Sequence, residues 1–285
     1  MLLLSAVTAA AHPGAAIGVT ADGRVYFVDT GGGVFSIERD RKVVRQDGPA
    51  LHWFALDPQG RFRNTPWPPT PGAEFRSIGS RPALVLSSDY PVAIGADGKL
   101  YFPQAGRDGR VRIVGLDAAG ALSQRAALPP FTSQGQPATW INGLASGPNG
   151  SLYYTEDRAI RRIDAQGRVS TVAANVAVDR CTAIPGIAAA ERPYLRGLTV
   201  APDGSVYVAA SGCGAVLKID GAGKRPTVLR TAAPWSPTAV AVANGEIYVL
   251  EYLHTASDDR REWIPRVRKI AANGTVTTLA TSNRR

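Results

Sequence analysis

Apolar and polar positions alternate in short runs along most of the chain, and the runs come in sets. "GRVYFVDTGGGVFSIE", "GKLYFPQAGRDGRVRIVGLD", "GSLYYTEDRAIRRIDAQGRVSTVA", "GSVYVAASGCGAVLKIDGAG" and "GEIYVLE…RVRKIAANGTVTTLA" follow one plan, each with a further apolar run before its first glycine. Period-two alternation over such short lengths predicts strands, so each set reads as strand, turn, strand, loop, strand, turn, strand. The first turn carries Asp-Gly or Asn-Gly, whose residues both accept positive φ in a tight hairpin. Three positions beyond the turn glycines Gly23, Gly98, Gly150, Gly204 and Gly245 stand Tyr26, Tyr101, Tyr153, Tyr207 and Tyr248. That regularity predicts one packing slot used five times, a ring buried between neighbouring sheets. A sixth, degenerate copy, "LHWFALDPQGRF", offers a strand and a turn at Gly60 before departing into "NTPWPPTPG".

Six four-stranded units of about 40 to 50 residues each predict an all-β fold, a six-bladed β-propeller with four-stranded antiparallel blades. Composition agrees, because 30 glycines and 21 prolines among 285 residues suit many short strands joined by turns. The propeller is expected to occupy residues 12–285 as a single domain. Residues 1–11 read as the remnant of a signal peptide, an apolar run followed by small residues, which predicts an exported protein, periplasmic or secreted. No apolar stretch long enough to span a membrane occurs beyond that start. The net charge of +9 comes from arginines scattered at strand spacing rather than in blocks. The expectation is therefore a monomer whose partner is a small molecule, with neither nucleic acid nor membrane bound.

Propeller topology sorts residues toward the channel mouth. The inner strands begin there, which selects His52, Tyr90, Asn142 and Arg196, and the second strands return there, which selects Asp29, Glu156 and Glu251. Trp53, Trp140, Trp235 and Tyr194 would give aromatic walls around these polar groups, the usual picture of a small-molecule pocket. Two of the three histidines, His52 and His254, fall near the mouth, His254 on the long loop "YLHTASDDRREWIP". Either could act as general base, with Glu251 beside them and Arg196 stabilising an anionic intermediate. Arg196, Tyr90, Trp140 and Asn142 would hold the substrate. Cys181, in the insertion "NVAVDRCTAIPGIAAAERPY", and Cys213, in "SGCG", lie on loops of one face and are expected to pair in an oxidising compartment.

The repeat "G-x-VYVA…G-x-V-x-KID" resembles NHL repeats, and the chain from 12 to 280 resembles six-bladed propellers of the senescence-marker-protein/gluconolactonase group. The resemblance implies a lactonase-like hydrolase or related lyase with a divalent cation, commonly calcium or zinc, at the inner-strand starts. "WINGLASGPNG" resembles the group's Asn-Gly strand at Asn142. Arg196, in "YLRGLTV", stands where the group has an aspartate, and "HPGAA" with His12 stands where it has a glutamate. A calcium site would then draw on Asn142, Glu251 and Asp89, hard oxygen ligands of the kind that ion takes. Two functions stay open: an enzyme acting on a lactone-like or anionic small molecule, and a non-catalytic NHL-type propeller that binds a ligand or protein on the same face.

Overall fold

The computed structural model describes residues 16–29, 32–46, 53–60, 62–64, 82–87, 91–106, 108–133, 136–137, 140–181, 184, 192–221, 224–255 and 262–282. Within them, five four-stranded antiparallel sheets span residues 17–45, 93–127, 143–173, 195–230 and 235–281, each built in chain order from the inner strand outward. These are the blades of a β-propeller. The inner strands Ile17–Val19, Ala93–Ile94, Gly143–Ser146, Leu195–Val200 and Trp235–Ala243 surround the axis.

The structure has five such blades, not the six expected. Between the first blade and the blade 93–127 lies a three-stranded sheet, in which Trp53–Leu56 is the middle strand, flanked by Phe62–Asn64 and Leu84–Ser87. Leu84–Ser87 packs against Ile17–Val19 on one side and Ala93–Ile94 on the other, and so closes the ring of inner strands. The sequence pattern placed the inner strand of this unit at residues 51–56. The chain instead lays down the middle strand first and supplies the inner one after residues 57–83, an order that repeat spacing cannot reveal.

The hydrophobic core is divided among the gaps between sheets. Six clusters of buried apolar residues fill six gaps, and the one joining Ile17, Val25 and Phe27 to Leu250, Tyr252 and Val267 closes the ring between the last blade and the first. Tyr252 adds a hydrogen bond across this seam, its hydroxyl donating to the Val28 carbonyl at 2.8 Å. The five repeated tyrosines lie one to a gap, four buried and Tyr207 partly so. Burial of an aromatic ring is among the larger single contributions to such a seam.

The first hairpins are of two kinds. At Asn149-Gly150 and Asn244-Gly245 both residues take positive φ, as the dipeptide predicts. At the Asp-Gly turns only the glycine does. There the aspartate carboxylate accepts a backbone N–H two residues on, from Lys99 to Asp97 at 3.2 Å and from Ser205 to Asp203 at 2.9 Å. Aspartate thus holds the turn by its side chain, an Asx-type contact, where asparagine holds it by its backbone angles.

Candidate functional site

The inner strands enclose an axial cavity of about 340 Å³. Its lining mixes apolar residues, Ile17, Leu86, Val92, Leu144 and Leu198 among them, with the polar side chains of Ser87, Asn142, Arg196 and Tyr194, and Trp140 lies beside them. Trp140 is exposed over nearly half its surface, so part of it faces solvent.

Arg196 reaches the wall because its strand is irregular. The pairing of Leu195–Val200 with Val206–Ala210 shifts register between Leu195 and Leu198, a β-bulge that contains Arg196 and Gly197. Bulges bend a strand and re-aim its side chains. The carbonyls left off the ladder are taken up by the neighbouring blade: Asn142 Nδ2 donates to the Leu195 carbonyl at 2.8 Å, and Thr155 Oγ1 to the Arg196 carbonyl at 2.8 Å. Two glycines make the close approach feasible. A Cβ on Gly143 would come within 2.6 Å of the Arg196 carbonyl oxygen, and one on Gly197 within 2.9 Å of the Thr238 carbonyl oxygen. The Asn-Gly dipeptide at 142–143 therefore has a structural reason, since Asn142 ties two blades together and Gly143 lets them touch.

Burial pushes the Arg196 guanidinium down from its ordinary value, while the phenols of Tyr194 and Tyr252 act in the opposite sense. His254 lies within electrostatic reach of it. Burial first, and the Arg196 charge second, push the His254 imidazole down to about 4. His254 is 3% exposed, and neither ring nitrogen has a hydrogen-bond partner among the described residues. Its backbone N–H donates to the Pro234 carbonyl at 2.8 Å, and its ring meets that of Trp263 at 5.1 Å between centroids. His254 is a buried imidazole within reach of the Arg196 charge, and not part of an exposed lid.

The structure therefore brings together Asn142, Arg196 and Trp140, with His254 close by. It does not turn Glu251 toward them. Glu251 is fully buried, accepts a hydrogen bond from Thr231, and pairs with Arg266 at 2.5 Å and Arg268 at 3.6 Å, with the Arg266 guanidinium stacked 3.9 Å above the Trp235 ring. Glu251 and Arg266 are direct cross-strand partners, so the carboxylate is drawn outward along its own blade. Glu156 is likewise held by Arg161 at 3.2 Å, and Asp157 by Arg192 at 3.1 Å. His52, Tyr90 and Asp89 lie outside the described residues.

The described residues present no ligand set for a divalent cation, and Asp89 lies outside them. Among the described residues no group of three or more histidine, cysteine, aspartate or glutamate side chains is placed to hold a metal ion. The carboxylates returning to the mouth at Glu156 and Glu251 are neutralised by arginines, and the charged side chain among the described cavity lining, Arg196, is cationic, whereas such an ion needs anionic oxygens.

Cys181 and Cys213 form a disulfide, with 4.6 Å between their Cα atoms. The turn Ser211–Cys213 in turn grips the segment leading to Arg196: Gly212 N–H donates to the Pro193 carbonyl at 2.9 Å and Ser211 N–H to the Tyr194 carbonyl at 3.2 Å. Tyr194, at a φ of 41°, is thereby held in a left-handed conformation at the cavity wall. Sequence reasoning missed Thr155 and this turn. The Asn142-Gly143 and Arg196-Gly197 dipeptides, at one slot of successive blades, are the sequence signal that could have found the close approach.

No family model matches the chain, and no curated protein matches it in sequence. Solved propellers are similar in fold. A luciferin-regenerating enzyme is 16% identical with a TM-score of 0.53, over 95% of this chain and 93% of that one. Regucalcin, a calcium-binding protein from Agrobacterium tumefaciens strain C58, is 13% identical with a TM-score of 0.57, over 87% and 85%. A catalytically inactive virginiamycin B lyase from Staphylococcus aureus with quinupristin is 15% identical with a TM-score of 0.51, over 95% and 85%. At such identities the likeness shows the propeller fold alone.

Proposed function

We propose that this protein is a hydrolase or lyase of the lactonase-like propeller type, acting on a small molecule in the axial cavity. The observation that carries the proposal is the pairing of Arg196 on the cavity wall with a buried, neutral His254 within reach of its charge. Propellers of similar fold include a lyase and a luciferin-regenerating enzyme, which supports the reaction class without naming the substrate.

Arg196 would stabilise the negative charge that develops on a substrate oxygen. His254 would accept a proton. An imidazole held near 4 is a weak base. An anionic group entering beside Arg196 offsets the repulsion that depresses it, so its basicity rises when substrate is in place. Tyr90 and His52 are proposed as further mouth residues, and Glu251 is assigned to the blade's buried ion pair. Export is part of the same proposal, since the Cys181–Cys213 disulfide suits an oxidising compartment and no described helix is long and apolar enough to cross a membrane.

The second reading, a binding propeller without turnover, is favoured by one observation: the carboxylates Glu156, Asp157 and Glu251 are all committed to arginines. Following hydrolysis of a panel of lactones and esters by the wild-type protein, R196M and H254F separates the two. Turnover that both substitutions abolish supports the enzyme. Saturable binding of panel members with no turnover establishes the binder.

A further inference from the structure

Tyr194 stands on the cavity wall in a backbone conformation that its side chain resists. Its φ of 41° lies in the left-handed region, where the Cβ crowds the following peptide and bulky residues are outliers. Among the described residues six other than glycine take positive φ. Three are asparagines, which tolerate it, and two are the exposed arginines Arg41 and Arg180. The sixth is Tyr194, which carries a ring and lines the cavity.

Strain of this kind persists only where the surroundings impose it, and it gathers at active sites and ligand clamps. Here three blades impose it. The Pro193 and Tyr194 carbonyls are held by the Gly212 and Ser211 N–H groups, and on the other side the Leu195 N–H donates to the Asp157 carbonyl at 3.0 Å. Ser211 is anchored in turn to the next blade, its hydroxyl donating to the Pro237 carbonyl at 2.5 Å and its carbonyl accepting from the Ser236 hydroxyl at 2.8 Å.

The fold makes no use of the phenol that this grip presents. The Tyr252 hydroxyl fastens the ring at Val28, whereas the Tyr194 hydroxyl makes no hydrogen bond among the described residues. It lies within electrostatic reach of the Arg196 guanidinium. Beside a cation a phenol turns its oxygen toward the charge, so its O–H proton is directed away and serves a group in the cavity.

We propose that Tyr194 is a catalytic residue, its phenol donating a hydrogen bond to the substrate oxygen on which negative charge develops. The role rests on the hydrolase or lyase reading above and adds a donor to it. A donor fixed in advance does not have to reorganise when the charge appears, and a backbone gripped from three blades supplies that fixity. Charge on the oxygen is small in a bound ester or lactone and large at the transition state. The hydrogen bond therefore strengthens along the reaction and acts on kcat rather than KM.

Turnover of the lactone and ester panel, dihydrocoumarin and phenyl acetate included, by wild type and Y194F tests the role, with unfolding midpoints from calorimetry. Y194F removes one oxygen that has no described protein partner, so the midpoint should hold while kcat falls about 100-fold and KM changes by less than about threefold. Wild-type kcat in Y194F, a change in KM alone, or a lowered midpoint would overturn the role and leave the enzyme reading standing. No turnover of any panel member by wild type would overturn the enzyme reading and this role with it. Y194G and Y194A test the strain separately, since both lose the ring and only glycine accepts a positive φ freely. Y194G is expected to melt above Y194A, against the usual entropic cost of glycine. The reverse order would show that the segment relaxes freely, and would overturn the fixed donor.

Discussion

Removing the disulfide should cost the protein a definite amount of stability. The bond joins residues 32 positions apart, and in the chain-entropy account closing such a loop removes about 12 cal/mol/K from the unfolded ensemble, about 3.7 kcal/mol at 25 °C. For a 285-residue chain the unfolding entropy near the midpoint is about 0.6 kcal/mol/K, so the loss corresponds to a fall in Tm of about 6 °C. Alanine is the right replacement. Cys213 is buried in an apolar cluster with Leu195, Val208 and Ala215, where a serine hydroxyl would add a cost of its own. The insertion retains a second tie in C181A/C213A, because Arg230 donates to the carbonyls of Asp179 at 2.6 Å and Arg180 at 3.2 Å, and the fold should survive. Calorimetry of the wild-type protein with and without dithiothreitol, beside C181A/C213A, is the assay. Reductant should lower the wild-type midpoint to that of the variant and leave the variant unmoved. A variant melting within about 1 °C of wild type would show that the insertion is already ordered without the bond, and would refute the entropic reasoning.

Three further outcomes follow from the geometry. His254 has a folded value of about 4 against 6.5 for the free side chain, so the unfolded chain binds the extra proton between those values; stability should be complete above about pH 6.5 and fall by about 3 kcal/mol as the pH drops toward 4, a slope that urea titrations of H254F should lack. E251A leaves Arg266 and Arg268 without their buried carboxylate and should destabilise the protein by about 3–5 kcal/mol in denaturant unfolding, while a loss under about 1 kcal/mol would show that the pair is dispensable. G197A places a methyl group 2.9 Å from the Thr238 carbonyl oxygen and the Ala239 Cα, so the inner strands must part; a loss of about 1–3 kcal/mol is expected, and an unchanged midpoint would mean that the ring gives way freely.

What was legible in the sequence, and what was not, divides along one physical line. A repeat specifies height along the axis. The turn glycines and the tyrosines three residues later located five blades and five of the gaps between sheets, because each blade must bury the same ring at the same level. The same spacing failed at residues 51–87, where the strands are laid down in a different spatial order and no periodic mark records it. Height also does not say which way a side chain turns. Glu251 and Arg196 both belong to the mouth end by position, yet one is drawn into its blade and the other lies on the cavity wall. The difference lies in the facing strand. Glu251 is opposed by Arg266, an opposite charge in direct register, and the ion pair forms where the two meet. Arg196 sits in a bulge opposite Ala209 and Ala210, whose methyl groups carry no charge to draw it along the sheet. A polar residue at the mouth end of a strand is therefore a candidate ligand contact when its cross-strand neighbour is small, and a structural ion pair when that neighbour carries the opposite charge. Applied to the motif "YVLEYL…PRVRKI", the rule assigns Glu251 to the blade; applied to "YLRGLTV…VYVAA", it leaves Arg196 to the cavity.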